Sequence, residues 1–142
     1  MSFYATSLQA MPPAIDVTVL KVAPNHCPLG DPLTLEMTFV TDQAMHQVYW
    51  EVQYMVDMTL QRHVLHLGST QHQEYPAGMC STQFAVPKID LDGLKKSWLN
   101  NVGLLLVLLK DKSGEQILQV SMVTQIELQS GIPIRHMLSP LD

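Results

Sequence analysis

Two stretches of this chain alternate apolar and polar residues with a period of two, and that pattern constrains the fold more than any other feature. In Asp31 to Thr41, Leu33, Leu35, Met37 and Phe39 share one face, and Thr34, Glu36 and Thr38 share the other. In His46 to Asp57, Val48, Trp50, Val52, Tyr54 and Val56 oppose Tyr49, Glu51, Gln53 and Met55. A helix would scatter these residues around its circumference, whereas a strand puts each set on one side. Similar extended patterns cover Ala14 to Ala23, Arg62 to Ser69, Met79 to Val86, Val102 to Lys110 and Gln116 to Leu128.

The breaks between these segments carry turn chemistry. Pro24 to Gly30 is rich in Pro and Gly, Tyr75-Pro76-Ala77-Gly78 reads as a turn, and Asp111-Lys112-Ser113-Gly114 reads as a hairpin turn. Ile89 to Leu99 is the only helical candidate, with Asp90 as its cap and Leu91, Leu94 and Trp98 near helical spacing. About seven antiparallel strands with one short helix predict an all-β, immunoglobulin-like β-sandwich. The expected organisation is a loose arm over residues 1–13, a sandwich over 14–129 and an irregular tail over 130–142.

With 46% hydrophobic and 15% charged residues, the chain can bury a core and does not read as disordered. Its longest apolar run, Val102 to Leu109, is far shorter than the about 20 residues of a membrane-spanning helix. No basic start followed by an apolar run marks a secretory signal. A net charge of −5 disfavours direct nucleic-acid binding, which needs a basic surface. Two cysteines, Cys27 and Cys80, do not make a disulfide framework, and a nuclear or cytoplasmic location follows as the expectation. Whether the two pair stays open.

Leu104 to Leu109 is apolar on both faces. If Leu105, Val107 and Leu109 meet the core, then Leu104, Leu106 and Leu108 point outward, where one face of an antiparallel sandwich usually meets water. Either a loop or the arm covers them, or they form a groove for a partner such as an amphipathic helix. In the last strand, Gln119, Ser121 and Val123 share the face opposite Leu118, Val120 and Met122.

At this point the chain resembles the anti-silencing-function histone chaperones. Pro32-Leu33-Thr34-Leu35-Glu36-Met37-Thr38-Phe39 is similar to a strand of that family, as are Trp50-x-x-x-Tyr54, the turn Pro76-Ala77-Gly78 and the opening Val102-Gly103 of an apolar strand. The order and spacing of these pieces extend from about Ile15 to Leu128. The resemblance implies an immunoglobulin-like sandwich whose outer sheet holds a histone helix. It carries partner-binding roles onto Met55, Leu104, Leu106 and Leu108 as apolar groove residues. Gln119 stands at the family's arginine position and Val123 at a tyrosine position, and the acid position falls near His63 or Val64. The acid pair for a second class of partners falls near Met45 to Gln47, where this chain has no acid.

No catalytic set emerges. His63, His66 and His72, and His26 beside Cys27, match no ligand spacing for a metal, and three residues on a strand put His63 and His66 on opposite faces. Cys80 lacks an activating context, and Asp90 and Asp92 suit a helix start. The expectation is a non-catalytic binding domain with no cofactor and no metal. Its partner is a protein, with the arginine-rich core histone pair as the first candidate, and neither nucleic acid nor membrane is bound directly. The chain is expected as a monomer or a subunit of a hetero-complex. The alternative is the same fold acting as an adaptor or scaffold subunit of a non-histone cytoplasmic or cytoskeletal complex.

Overall fold

The computed structural model describes residues 12–57, 62–91 and 102–141. Within them the chain forms ten strands: β1 (Ile15–Ala23), β2 (Cys27–Pro28), β3 (Leu33–Thr41), β4 (Met45–Asp57), β5 (Arg62–Ser69), β6 (Gln73–Tyr75), β7 (Gly78–Val86), β8 (Gly103–Lys110), β9 (Gln116–Gln129) and β10 (Ile132–Leu138). The small sheet has the order β1-β3-β7, and the large sheet β2-β10-β9-β8-β4-β5 with β6 added beside β4. The two pack as an all-β sandwich, and every pairing is antiparallel.

The alternation seen in the sequence is the burial pattern of the structure. Leu33, Leu35, Met37 and Phe39 of β3 meet Val48, Trp50, Val52, Tyr54 and Val56 of β4 in one core, with Leu105, Val107, Leu109 and Met122 behind them. Trp50 is fully enclosed, stands edge-on to Phe39, and donates from Nε1 to the Tyr75 hydroxyl at 3.0 Å. That bond satisfies the indole N–H that burial would otherwise strand.

Three expectations need correction. The tail is not irregular: β10 pairs with β9 along its whole length, from Ile132 opposite Gln129 to Leu138 opposite Val123. Ser130 and Gly131 both take positive φ, 55° and 81°, which is the two-residue hairpin geometry that follows the twist of the flanking strands. Two prolines hid this strand, yet neither Pro133 nor Pro140 disrupts it: Pro133 sits next to the sheet edge, where a missing N–H is tolerated. Second, β2 and β6 raise the strand number above seven among the described residues. Third, Ile89 to Leu91 are not helical, and the rest of the expected helix, with Asp92 and Trp98, lies outside the described residues, as does the arm up to Met11.

β10 is fastened by a buried cation. Arg135 is completely enclosed, and its guanidinium donates to the carbonyls of Leu29, Asp31, Pro24 and Pro32 at 3.1, 2.6, 3.0 and 3.3 Å. Burial lowers its pKa, while the nearby Cys27 and Asp31 oppose that shift. Its Nε is left without a partner, as is the buried Thr124 Oγ1.

Candidate partner-binding face

The outer face of the large sheet collects every residue assigned to partner binding. The register puts Met55 opposite Leu104 and Leu104 opposite Val123. One step along, Leu106 lies between Gln53 and Ser121, and Leu108 lies between Glu51 and Gln119. All six sequence-selected positions (Met55, Leu104, Leu106, Leu108, Gln119 and Val123) therefore share one surface. Antiparallel pairing keeps directly opposed residues on the same side of the sheet, which is why three separate strands can build it.

Two further residues lengthen that surface. Val64 of β5 stands opposite Met55, and Leu138 of β10 stands opposite Val123. The result is an apolar row, Val64–Met55–Leu104–Val123–Leu138, that crosses five strands. Its ends and one inner member are open to solvent: Val64 is 48% exposed, Val123 40% and Leu138 38%. Sequence reading missed Leu138 and met Val64 only as one of two places for the acid position that the resemblance implies. Val64 lies in a strand read mainly for its histidines, and Leu138 lies in the segment read as an irregular tail.

The middle of the face is less open than a greasy stripe would be. Leu106 and Leu108 are only 8% and 5% exposed, although neither belongs to the sandwich core. Gln53 and Glu51 on one side and Gln119 on the other flank them in the register. The two leucines thus form a floor, and the row from Val64 to Leu138 forms the accessible apolar edge of that floor.

The charges on this face are largely spent on one another. Lys110 Nζ meets Glu51 Oε2 at 2.7 Å, Gln53 Nε2 donates to the same oxygen at 2.8 Å, and His66 Nδ1 lies 3.5 Å from Glu51 Oε1. The Glu51 carboxylate raises the Lys110 pKa through that hydrogen bond. Gln119 Nε2 donates to Ser121 Oγ and Gln119 Oε1 accepts from Gln116 Nε2, both at 3.4 Å. Beyond the apolar row, His26, Val102, Gln125, Glu127, Ile134 and His136 line a shallow cavity of about 340 Å³, with the two imidazoles 4.0 Å apart in an edge-on contact.

At the far end of the sandwich, the Glu74 carboxylate lies 3.4 Å from His46 Nδ1 and accepts from the Gln47 N–H at 2.6 Å. Gln47 holds a positive φ of 54° within an irregular β4–β6 pairing. The segment Met45 to Gln47 has no acid of its own, and β6 brings one to it from elsewhere in the chain. Sequence reading missed this because the two segments are joined only by the fold.

Among the described residues, no group of three or more His, Cys, Asp or Glu converges to hold a metal ion. Both cysteines are free: Cys27 Sγ contacts the Pro24 carbonyl at 3.5 Å, and the buried Cys80 contacts that of Pro76 at 3.3 Å. Neither of the family models nor of the curated proteins compared with the chain does any match it.

Proposed function

We propose that this chain is a non-catalytic protein-binding domain that holds an amphipathic helix of a partner across the outer face of its large sheet. The observation that carries this reading is the apolar row Val64–Met55–Leu104–Val123–Leu138. Strands lie about 4.8 Å apart, so the row runs about 19 Å. A helix rising 1.5 Å per residue spans that length with about 13 residues. Its own apolar side chains at i, i+3 and i+4 recur every 5–6 Å or so, close to the strand spacing. The row and such a helix are therefore matched in period as well as in polarity.

The resemblance to anti-silencing-function histone chaperones makes a helix of the arginine-rich core histone pair the first partner to test. A second reading, an adaptor in a non-histone complex, draws support from the chemistry of the face. Gln53, Gln119, Ser121 and Gln125 are uncharged, and Glu51 is already engaged by Lys110. A face of this kind offers a basic helix few unsatisfied carboxylates.

The test is binding of the purified chain to the core histone pair at near-physiological salt, beside the variant Leu106→Arg. Saturable binding that the variant loses while keeping its fold supports the histone reading. Absence of binding by the unaltered chain removes that reading and leaves the adaptor reading, whose partner is then sought by capture from cells. Unfolding of Leu106→Arg would show that Leu106 belongs to the structural core.

A further inference from the structure

We infer that β7 is a dimerisation edge, at which a second copy of this chain adds its own β7 in antiparallel register. Leaving aside the three-residue β6, the described strands leave four sheet edges, and three of them are protected in recognisable ways. β1 carries Asp16 and Lys21, and its pairing with β3 contains a register shift between Val17 and Val19. β5 carries Arg62 and His66, and its pairing with β4 is shifted between Val52 and Gln53. β10 is covered by β2, by the Leu29 N–H on the Pro133 carbonyl, and by the His26 N–H on the Arg135 carbonyl. Asn25 completes the cover by taking both the N–H and the carbonyl of Met137. Charges, bulges and covering segments are the devices by which sheets avoid pairing with other chains.

β7 has none of them among the described residues. It is nine residues long, Gly-Met-Cys-Ser-Thr-Gln-Phe-Ala-Val, with no charge and no proline. Its register with β3 runs without a shift from Val86 opposite Leu33 to Gly78 opposite Thr41. It ends the small sheet, and Met79 on its outward face is 76% exposed. A long, regular, uncharged edge is a template for another strand.

The same strand is complementary to itself. Antiparallel pairing about a two-fold axis through Thr82 puts Thr82 opposite its own counterpart, Ser81 opposite Gln83, Cys80 opposite Phe84 and Met79 opposite Ala85. No like charges meet, and Thr–Thr is a favourable polar cross-strand pair. An isologous contact needs this self-complementarity, because each residue meets the same patch on the other copy. The joined small sheets would form one sheet of six strands, leaving the outer faces of both large sheets free.

The experiment is sedimentation velocity on the full chain over a wide concentration range, with three variants. The unaltered chain is expected to shift from monomer to dimer mass as concentration rises. Ser81→Lys combined with Gln83→Lys puts lysine opposite lysine in both halves of the pairing, and is expected to hold the chain at monomer mass. Ser81→Lys combined with Gln83→Glu loses the same Ser81–Thr38 hydroxyl contact but puts lysine opposite glutamate, and is expected to restore the dimer. Leu106→Arg is expected to leave the dimer unchanged. A chain that stays monomeric at every concentration overturns the inference, as does a Lys/Glu variant no better than the Lys/Lys one. Loss of the dimer in a Leu106→Arg chain that keeps its fold would also overturn it and move the contact to the large sheet.

Discussion

The Tyr54 phenol occupies the space in which a side chain at position 103 would stand, and Gly103 is the residue that admits it. A Cβ built on Gly103 would overlap the phenol oxygen and its ring carbon. Gly103 faces the core at the start of β8, one pair along from Leu105, which stands directly opposite Tyr54. The glycine is thus an accommodation to a neighbouring strand rather than a turn residue.

Gly103→Ala is accordingly expected to destabilise the domain by about 1–3 kcal/mol, the range typical of overpacking in a close-packed core. Urea denaturation measures it. An unchanged midpoint would mean that Tyr54 has room to move and that the contact is not a constraint.

Arg135 gives a larger effect. Its guanidinium serves four main-chain carbonyls of the segment between β1 and β3, so Arg135→Ala leaves those carbonyls facing a dry cavity. A loss of at least about 3 kcal/mol is expected, since each buried carbonyl left without its donor costs about 1–3 kcal/mol. Asn25→Ala should cost less, about 1–3 kcal/mol, since it strands only the polar groups of Met137. Hydrogen exchange should show the protection of β10 lost before that of β4 in either variant. Equal loss throughout would mean that β10 and the core unfold as one unit.

The outer face should tolerate what the core does not. Val64→Asp and Val123→Asp alter side chains that are 48% and 40% exposed, so stability should fall by no more than about 1 kcal/mol. Binding of the partner helix, measured by calorimetry once a partner is in hand, should weaken at least tenfold for either. Undiminished binding in both variants would remove the apolar row from the interface.

Alkaline pH should weaken the fold in a defined window. Burial pushes the Tyr54 phenol up to about 12 from an ordinary value of 10.0. The unfolded chain therefore releases that proton first, so the stability held by neutral Tyr54 is intact below pH 10 and is lost progressively as pH rises towards 12. Lys110, raised by its bond to Glu51, acts with the same sign: its contribution is present below its ordinary pKa and fades above it. Tyr54→Phe should flatten the fall in urea midpoint across this window, and Glu51→Gln should remove only the Lys110 share. Half-ionisation of Tyr54 near pH 10 in the folded chain, read as the tyrosinate absorbance that Tyr54→Phe removes, would contradict the burial argument.

Much of this architecture follows from local chemistry. Side chains on a strand alternate with a period of two, so the burial of β3 and β4 could be read residue by residue, and Gly/Pro turn signals marked the breaks between β1 and β3, before β7 and between β8 and β9. The same alternation separated Gln119, Ser121 and Val123 from Leu118, Val120 and Met122, and it pointed Leu104, Leu106 and Leu108 away from the core. Period alone determines which side of its own strand a residue occupies. It cannot say which strands are neighbours, because pairing partners are chosen by long-range packing and by the register between segments distant in sequence.

Only the tertiary structure therefore joined Val64, Met55, Leu104, Val123 and Leu138 into one row, or brought Glu74 to the Gln47 N–H. It also made a strand of the tail, because Arg135 found four carbonyls in a segment more than a hundred residues earlier in the chain. No local propensity of Ile132–Leu138, interrupted by Pro133, encodes such a partner. Burying a guanidinium is tolerable only where most of its donors find acceptors, and here four carbonyls between β1 and β3 take its two terminal nitrogens while β9 pairs the strand that carries it.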